Sequence, residues 1–245
     1  MMNTPASHFV YQRLHVLGGR ALHLAEHLRI AARAFEHVYG VRPALDSGAV
    51  AARISDALRG GHHATSRTGA TVILRLAPDD EATGISAAFE RQLMEAGYYM
   101  SALRPKARSY DYSIPFGGFP TNFQLDAQAM FDTLAFRGHG AGRSVRRRGD
   151  VLLSCGDAPL FAIRGRVLFT TPLTEGAMDG VERGTVIAAA DRARLTVREE
   201  PILHTELKSC DELFLADAAG ITSISECDGA HFMSLIAPRL ADAMN

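Results

Sequence analysis

The stretch VLLSCGDAPLFAIRGRVLFTTPLTEGAMDGVERGTVIAAA, residues 151–190, decides how the rest of the chain is read. Two apolar runs of β type lead into a loop that holds Pro172, Gly176 and Gly180. From about Arg183 the apolar residues recur at helical spacing, so the expected order is strand, strand, glycine loop, helix. A glycine loop that opens a helix leaves backbone N–H groups unpaired at the positive end of the helix dipole, where anions bind. The plainer alternative is that Gly176 and Gly180 only turn the chain.

At 245 residues the chain can bury a sizeable core, as one large domain or two small ones in contact. With 47% hydrophobic and 22% charged residues it is ordinary for a soluble globular protein, and its net charge of −1 argues against a general binder of nucleic acid or anionic membrane. Cys155, Cys210 and Cys227 lie far apart with no C-x-x-C, so neither a disulfide framework nor a structural metal site is expected. The first residues lack a signal-peptide apolar core and no run approaches bilayer-spanning length, so a cytoplasmic protein is the expectation.

In chain order, residues 9–16 read as a strand, Gly18-Gly19 as a hairpin turn and 21–24 as the return strand. Residues 23–39 place Leu24, Leu28, Ala31, Ala32, Phe35 and Val38 on one helical side, and Gly40 is the stop. A second helix covers 47–58 and ends at Gly60-Gly61, 71–76 is a strand, and 87–96 is a strand or short helix. Residues 100–112 read as extended, and PFGGFP at 115–120 as a loop and hinge. Helical spacing resumes over 123–136, and RGHGAGRSVRRRGD at 137–150 reads as a solvated basic loop. A strand near 195–199, an acidic capping segment at 205–211, a strand at 212–216 and a helix from 230 to 244 complete the chain.

TTPLTEGAMDGVERGTVI at 170–187, with ADAAGITSI at 216–224, resembles the C-terminal half of the fold-type-IV pyridoxal-phosphate enzymes. These are the class IV aminotransferases and the aminodeoxychorismate lyases. Pro172, Leu173, Gly176, Gly180 and Arg183 stand where that family has proline–leucine, a glycine-bounded loop and the arginine that opens a helix. HLAEHLRIAARAF at 23–35 is similar to its first helix. The resemblance implies an α+β fold with a smaller lobe over 1–114, a hinge at 115–122 and a larger β-rich lobe over 123–245. It also implies a homodimer.

The same resemblance sets the cofactor positions, and this chain departs from each of them. A transaminase of this kind needs a lysine for its Schiff base. In GGFPTNFQL, Asn122 fits the family's asparagine, which puts the lysine position at Phe119. The chain's two lysines are Lys106 and Lys208, and Lys106 is the candidate amine. The phosphate arginine falls at Ile30 when the first-helix histidine is placed at His27, the loop threonine falls at Glu182, and a hydroxyl pair falls near Ala216 and Asp217. Gly180, Val181, Glu182, Asp217 and Ala218 are thus the equivalents of the phosphate cup. Two carboxylates there would repel a phosphate that has lost its arginine. The acid that meets the pyridine nitrogen falls near Ser154 or Cys155, with Asp157 close by.

The expectation is therefore a class IV-like protein without bound pyridoxal phosphate, its inter-lobe cleft kept for a small metabolite or for assembly. The alternative is an active pyridoxal-phosphate aminotransferase or lyase that uses Lys106. Glu182 and Asp217 are expected close together at the floor of that cleft, neutralised by a cation such as Arg104, Arg183 or a metal, or left as an acidic pocket. Arg104, Lys106, Arg108, Tyr110 and Tyr112 alternate along an extended segment, which would put them on one face as a wall for a small acid or as a solvated edge. Arg104, Tyr110, Tyr112 and Asp157 are the candidate substrate contacts. Cys155 with His139 or His204 could be drawn as nucleophile and base, against its simpler reading as a buried filler.

Overall fold

The computed structural model describes residues 8–59, 69–78, 84–88 and 97–245. They form two compact units, one of Met1–Gly97 with Pro120–Asn122 and the other of Tyr98–Phe119 with Phe123–Asn245. The expectations at Gly60-Gly61 and over 89–96 lie outside the described residues.

The first unit runs β1 (Val10–Leu17), β2 (Arg20–Ala21), α1 (Leu24–Tyr39), α2 (Ser47–Arg59), β3 (Ala70–Leu76) and β4 (Gly84–Ala88). Its strands stand in the order β2-β1-β3-β4, all antiparallel. Register sets Leu14 against Val72, and this face of the sheet packs on Leu28 of α1 and Val50, Ile54 and Leu58 of α2. α1 stops because Gly40 takes a left-handed φ of 74° and returns its N–H to the Glu36 carbonyl at 2.8 Å. Residues 120–122 join this sheet: the Tyr11 N–H donates to the Pro120 carbonyl, the Asn122 N–H to the Phe9 carbonyl, and the Phe9 N–H to Asn122 Oδ1.

The second unit runs β5 (Tyr99–Met100), β6 (Lys106–Asp111), α3 (Asn122–His139, its first residue belonging to the other unit), β7 (Arg143–Arg148), β8 (Val151–Cys155), β9 (Ala158–Arg164), β10 (Val167–Thr170), α4 (Val181–Arg192), β11 (Thr196–Glu199), β12 (Ile202–Leu203), β13 (Glu212–Asp217), β14 (Gly220–Ser223), β15 (Glu226–Cys227), β16 (Ala230–His231) and α5 (Ala237–Ala243). Among the described residues the main path of its curled sheet is β16-β15-β6-β7-β8-β9-β13-β14-β5. β10 pairs with β9 and β11, and β12 pairs with β8. Leu152, Leu160, Leu213, Leu215, Ile224 and Phe232 are buried in one apolar cluster on its inner side. Burial of this many apolar side chains is the main driving force of the unit.

Several sequence expectations are corrected here. The stretch 151–190 holds three strands before its loop, because Gly165, with φ +60°, lets β9 turn back as β10. The basic stretch 137–150 is not all loop: Arg143–Arg148 is a strand inside the sheet, parallel to β6 and antiparallel to β8. The extended run over 100–112 is strand only at Met100, the end of β5, and over Lys106–Asp111. The helix expected from 230 begins at Ala237, after β16, with a proline in its first turn. No helix among the described residues is long and apolar enough to cross a membrane.

Candidate functional site at the start of α4

Gly180 is extended, with φ −160°, and caps α4 without any side-chain hydrogen bond. The loop before it is held by a backbone hydrogen bond to Gly118. The Asp179 N–H donates to the Gly118 carbonyl at 3.0 Å, and the Gly176 N–H closes a short 3-10 turn onto Leu173. Phe119, where the family resemblance puts a lysine, follows directly after Gly118 and donates its own N–H to the Phe116 carbonyl.

Arg146 joins these two loops. Its Nη2 donates to the Gly117 carbonyl at 2.7 Å and to the Gly176 carbonyl at 2.8 Å, and its Nε donates to Ser154 Oγ at 3.3 Å. The residue is 4% exposed. Burial pulls its pKa down to about 10, opposed by the nearby Tyr112, so the guanidinium stays charged at neutral pH. A Cβ at Gly117 would stand 2.7 Å from Arg146 Nη1, so any larger residue there would make the guanidinium shift.

Glu182 lies in the first turn of α4 and is buried. Burial raises its pKa to about 8, and the Asp217 and Asp157 carboxylates add to the rise, while a hydrogen bond from its own backbone N–H opposes it. The carboxyl thus accepts its own backbone N–H at the positive end of the helix, where an external anion would bind. Glu182 Oε2 would be 3.5 Å from a Cβ at Gly180. Asp217 also serves its own hairpin: Oδ1 accepts the N–H of Ala219 at 2.9 Å and of Gly220 at 3.3 Å. Tyr98 is the further neighbour: burial first and then Glu182 push its phenol above the usual range, against a hydrogen bond with Thr185.

The structure brings together Gly180, Val181, Glu182, Asp157 and Asp217, with Ala218 buried next to the last. Arg183 turns elsewhere, its Nη2 donating to Glu199 Oε2 at 2.7 Å and to the Thr171 carbonyl at 3.3 Å. Arg104 donates to the Phe232 carbonyl at 2.7 Å. Lys106 forms an exposed ion pair with Glu226 at 2.8 Å, and Arg108 pairs with Asp228 at 3.2 Å. On β6, Ala107 and Ser109 are buried, while Lys106, Arg108 and Tyr110 share the other face. Tyr110 and Tyr112 pack on Phe131 of α3, Tyr112 stacked at 3.9 Å between centroids. Cys155 is buried with its thiol pushed up to about 12, chiefly by burial, and His204 is taken by Asp228 at 3.1 Å, so no nucleophile–base pair forms between them. Among the described residues no group of three or more His, Cys, Asp or Glu side chains could hold a metal ion.

Arg146, which by sequence reads as part of a solvated basic loop, is the residue whose role reading the sequence passed over. A signal was present: Gly149-Asp150 between RSVRRR and VLLSC is a hairpin turn between two runs of strand length, and Gly149 does take a φ of +57°.

The sheet order and the α4 loop can be set against known proteins. The structure of a Mycobacterium tuberculosis protein titled a hypothetical aminotransferase, PLP-bound form, superposes with a TM-score of 0.78 over 96% of this chain and 87% of that one, at 14% identity. The fold is that of the class IV aminotransferases. The branched-chain aminotransferase of Thermoproteus uzoniensis shares it, with a TM-score of 0.75 over 96% of this chain and 84% of that one, at 19% identity. The family model for amino-transferase class IV matches residues 127–227. In sequence, the branched-chain-amino-acid aminotransferase of Escherichia coli (strain K12) is 37% identical over 71 residues, 29% of this chain. That match spans only 23% of the E. coli protein's length.

Class IV enzymes depend on pyridoxal phosphate, and the residues present here do not fit it. Lys106 is on an exposed ion pair, and Lys208 is exposed on a 3-10 turn. The start of α4 already holds a buried carboxyl with two more carboxylates in reach, so a dianionic phosphate would meet repulsion where it needs donors. Next to Ser154, where the resemblance puts an acid for the pyridine nitrogen, stands the Arg146 guanidinium. A cation there opposes protonation of that nitrogen.

Proposed function

We propose that this protein is a class IV aminotransferase-like protein without Schiff-base chemistry, which binds a small metabolite at the start of α4 and assembles as a homodimer. The observation that carries the reading is the buried Glu182 carboxyl on the α4 N-terminus, supported by Asp157 and Asp217 beside it. Asp157 and Asp217 favour an amine-bearing small molecule over a phosphate there. Absorbance spectra and intact mass after borohydride, on the protein as purified and after incubation with pyridoxal phosphate, test it. The expected result is no visible band and no added mass. A stoichiometric band that disappears in Lys106→Ala would establish an active pyridoxal-phosphate enzyme instead. Light scattering is expected to give about twice the 26.5 kDa chain mass, and a monomer mass at all concentrations would remove the homodimer from the reading.

A further inference from the structure

A second site lies in the larger unit, with no residue in common with the Glu182 cluster. It is a cavity of about 370 Å³, within the roughly 300–1,000 Å³ typical of small-molecule sites. Strand register builds one wall. Phe169 of β10 pairs with Ala162 of β9 on one side and with Arg198 of β11 on the other, so a methyl, a ring and a guanidinium stand in a row on one face. Pro201, Ile202 and Leu203 add apolar surface, and Glu206 and Cys210 complete the lining with Arg164 and Glu200.

The charged groups divide into used and available. Arg164 is fixed: its Nη2 meets Glu206 Oε2 at 2.9 Å, and its guanidinium carbon lies 5.6 Å from the Phe169 ring centroid. Arg198 has only a 3.7 Å contact with Glu200, too long for a hydrogen bond, and its side chain is 54% exposed. Among the described residues, then, one arginine at the cavity keeps its fork of donors for an anion. Ala162, only 1% exposed, forms part of the cavity floor beside the aromatic ring.

We propose that this cavity binds a small aromatic monocarboxylate. Its ring lies over Ala162 beside Phe169 in an offset or edge contact, and its carboxylate pairs with the Arg198 guanidinium. The site is separate from the one at α4 and does not depend on the function proposed there.

Titration of the full chain with phenylacetate, followed by calorimetry and NMR, tests this. Saturable one-to-one binding is expected, weakened about tenfold in Arg198→Gln by loss of the charged pair and lost in Ala162→Leu, which fills the space. Glu182→Gln should bind phenylacetate as the wild type does. Phenethylamine, with the same ring and the opposite charge, should not compete. Absence of saturation, equal affinity in Arg198→Gln, or equal binding of phenethylamine would overturn the proposal. Arg198 is exposed, so its substitution leaves a folded protein on which the test stands even if Ala162→Leu does not fold.

Discussion

Glu182 and Asp217 interact across the start of α4, and the Asp217 carboxylate, after burial itself, helps to raise the Glu182 pKa to about 8. The folded state therefore holds a proton that the unfolded chain, with an ordinary value of 4.5, releases. The stabilising protonated form is fully present below pH 4.5 and is lost as pH rises through about 8, so stability falls with pH across that window. Thermal unfolding should show this decline in wild type from pH 6.5 to 8, and the difference in midpoint between wild type and Glu182→Gln should shrink steadily from pH 4.5 to 8. Parallel profiles would mean that Glu182 titrates as an ordinary carboxylate.

His27 gives the opposite sign. Its Nδ1 donates to Gln12 Oε1 at 3.0 Å, and burial, with a smaller contribution from His23, lowers its pKa from 6.5 to about 3. The neutral ring is the stable form, so its contribution is present above pH 6.5 and is lost as pH falls towards 3. His27→Gln should remove this part of the acid sensitivity, read as the difference in unfolding midpoint between the two proteins from pH 7 to 4.

Arg146 ties Gly117 and Gly176 through their carbonyls. Arg146→Met keeps length and apolar volume but leaves both carbonyls and Ser154 Oγ without this donor. A loss of about 2–4 kcal/mol is expected, since each buried acceptor left unmade costs roughly 1–3 kcal/mol and not all of it adds. Amide exchange should rise at Asp179, whose N–H bond to Gly118 depends on the same pair of loops. Gly117→Ala should reproduce the faster exchange by displacing the guanidinium, with Arg146 still present.

Glu212 at the start of β13 is 1% exposed, and its carboxylate accepts the backbone N–H of Leu235 at 2.8 Å, Ile236 at 2.6 Å and Ala237 at 3.0 Å. It is the N-terminal anchor of α5. Glu212→Ala should cost about 3 kcal/mol or more, through three lost charged hydrogen bonds. Glu212→Gln should cost less, because its amide oxygen still accepts. Denaturant midpoints for the two variants check the order; an equal loss would point to charge alone.

Much of the fold was legible along the chain. The apolar side of α1 with its Gly40 stop, and the order of strands, loop and helix in residues 151–190, follow from short-range rules: a 3.6 or 2.0 period records which side of an element is buried, and glycine marks where φ turns positive. The positions of Glu182 and Asp217 could be marked as chemically odd from sequence as well. Tertiary structure alone decided what each of these side chains meets. RSVRRR reads as solvated because of its charges, yet pairing with β6 and β8 puts it inside the sheet and buries Arg146 against two loops distant in sequence. Likewise Arg183 turns to Glu199, while Ala162, Phe169 and Arg198 come into one row only through the register of three strands. Periodicity reports that a residue is buried; the partner it is buried against is set by strand register and loop closure between segments that have no local signal for each other.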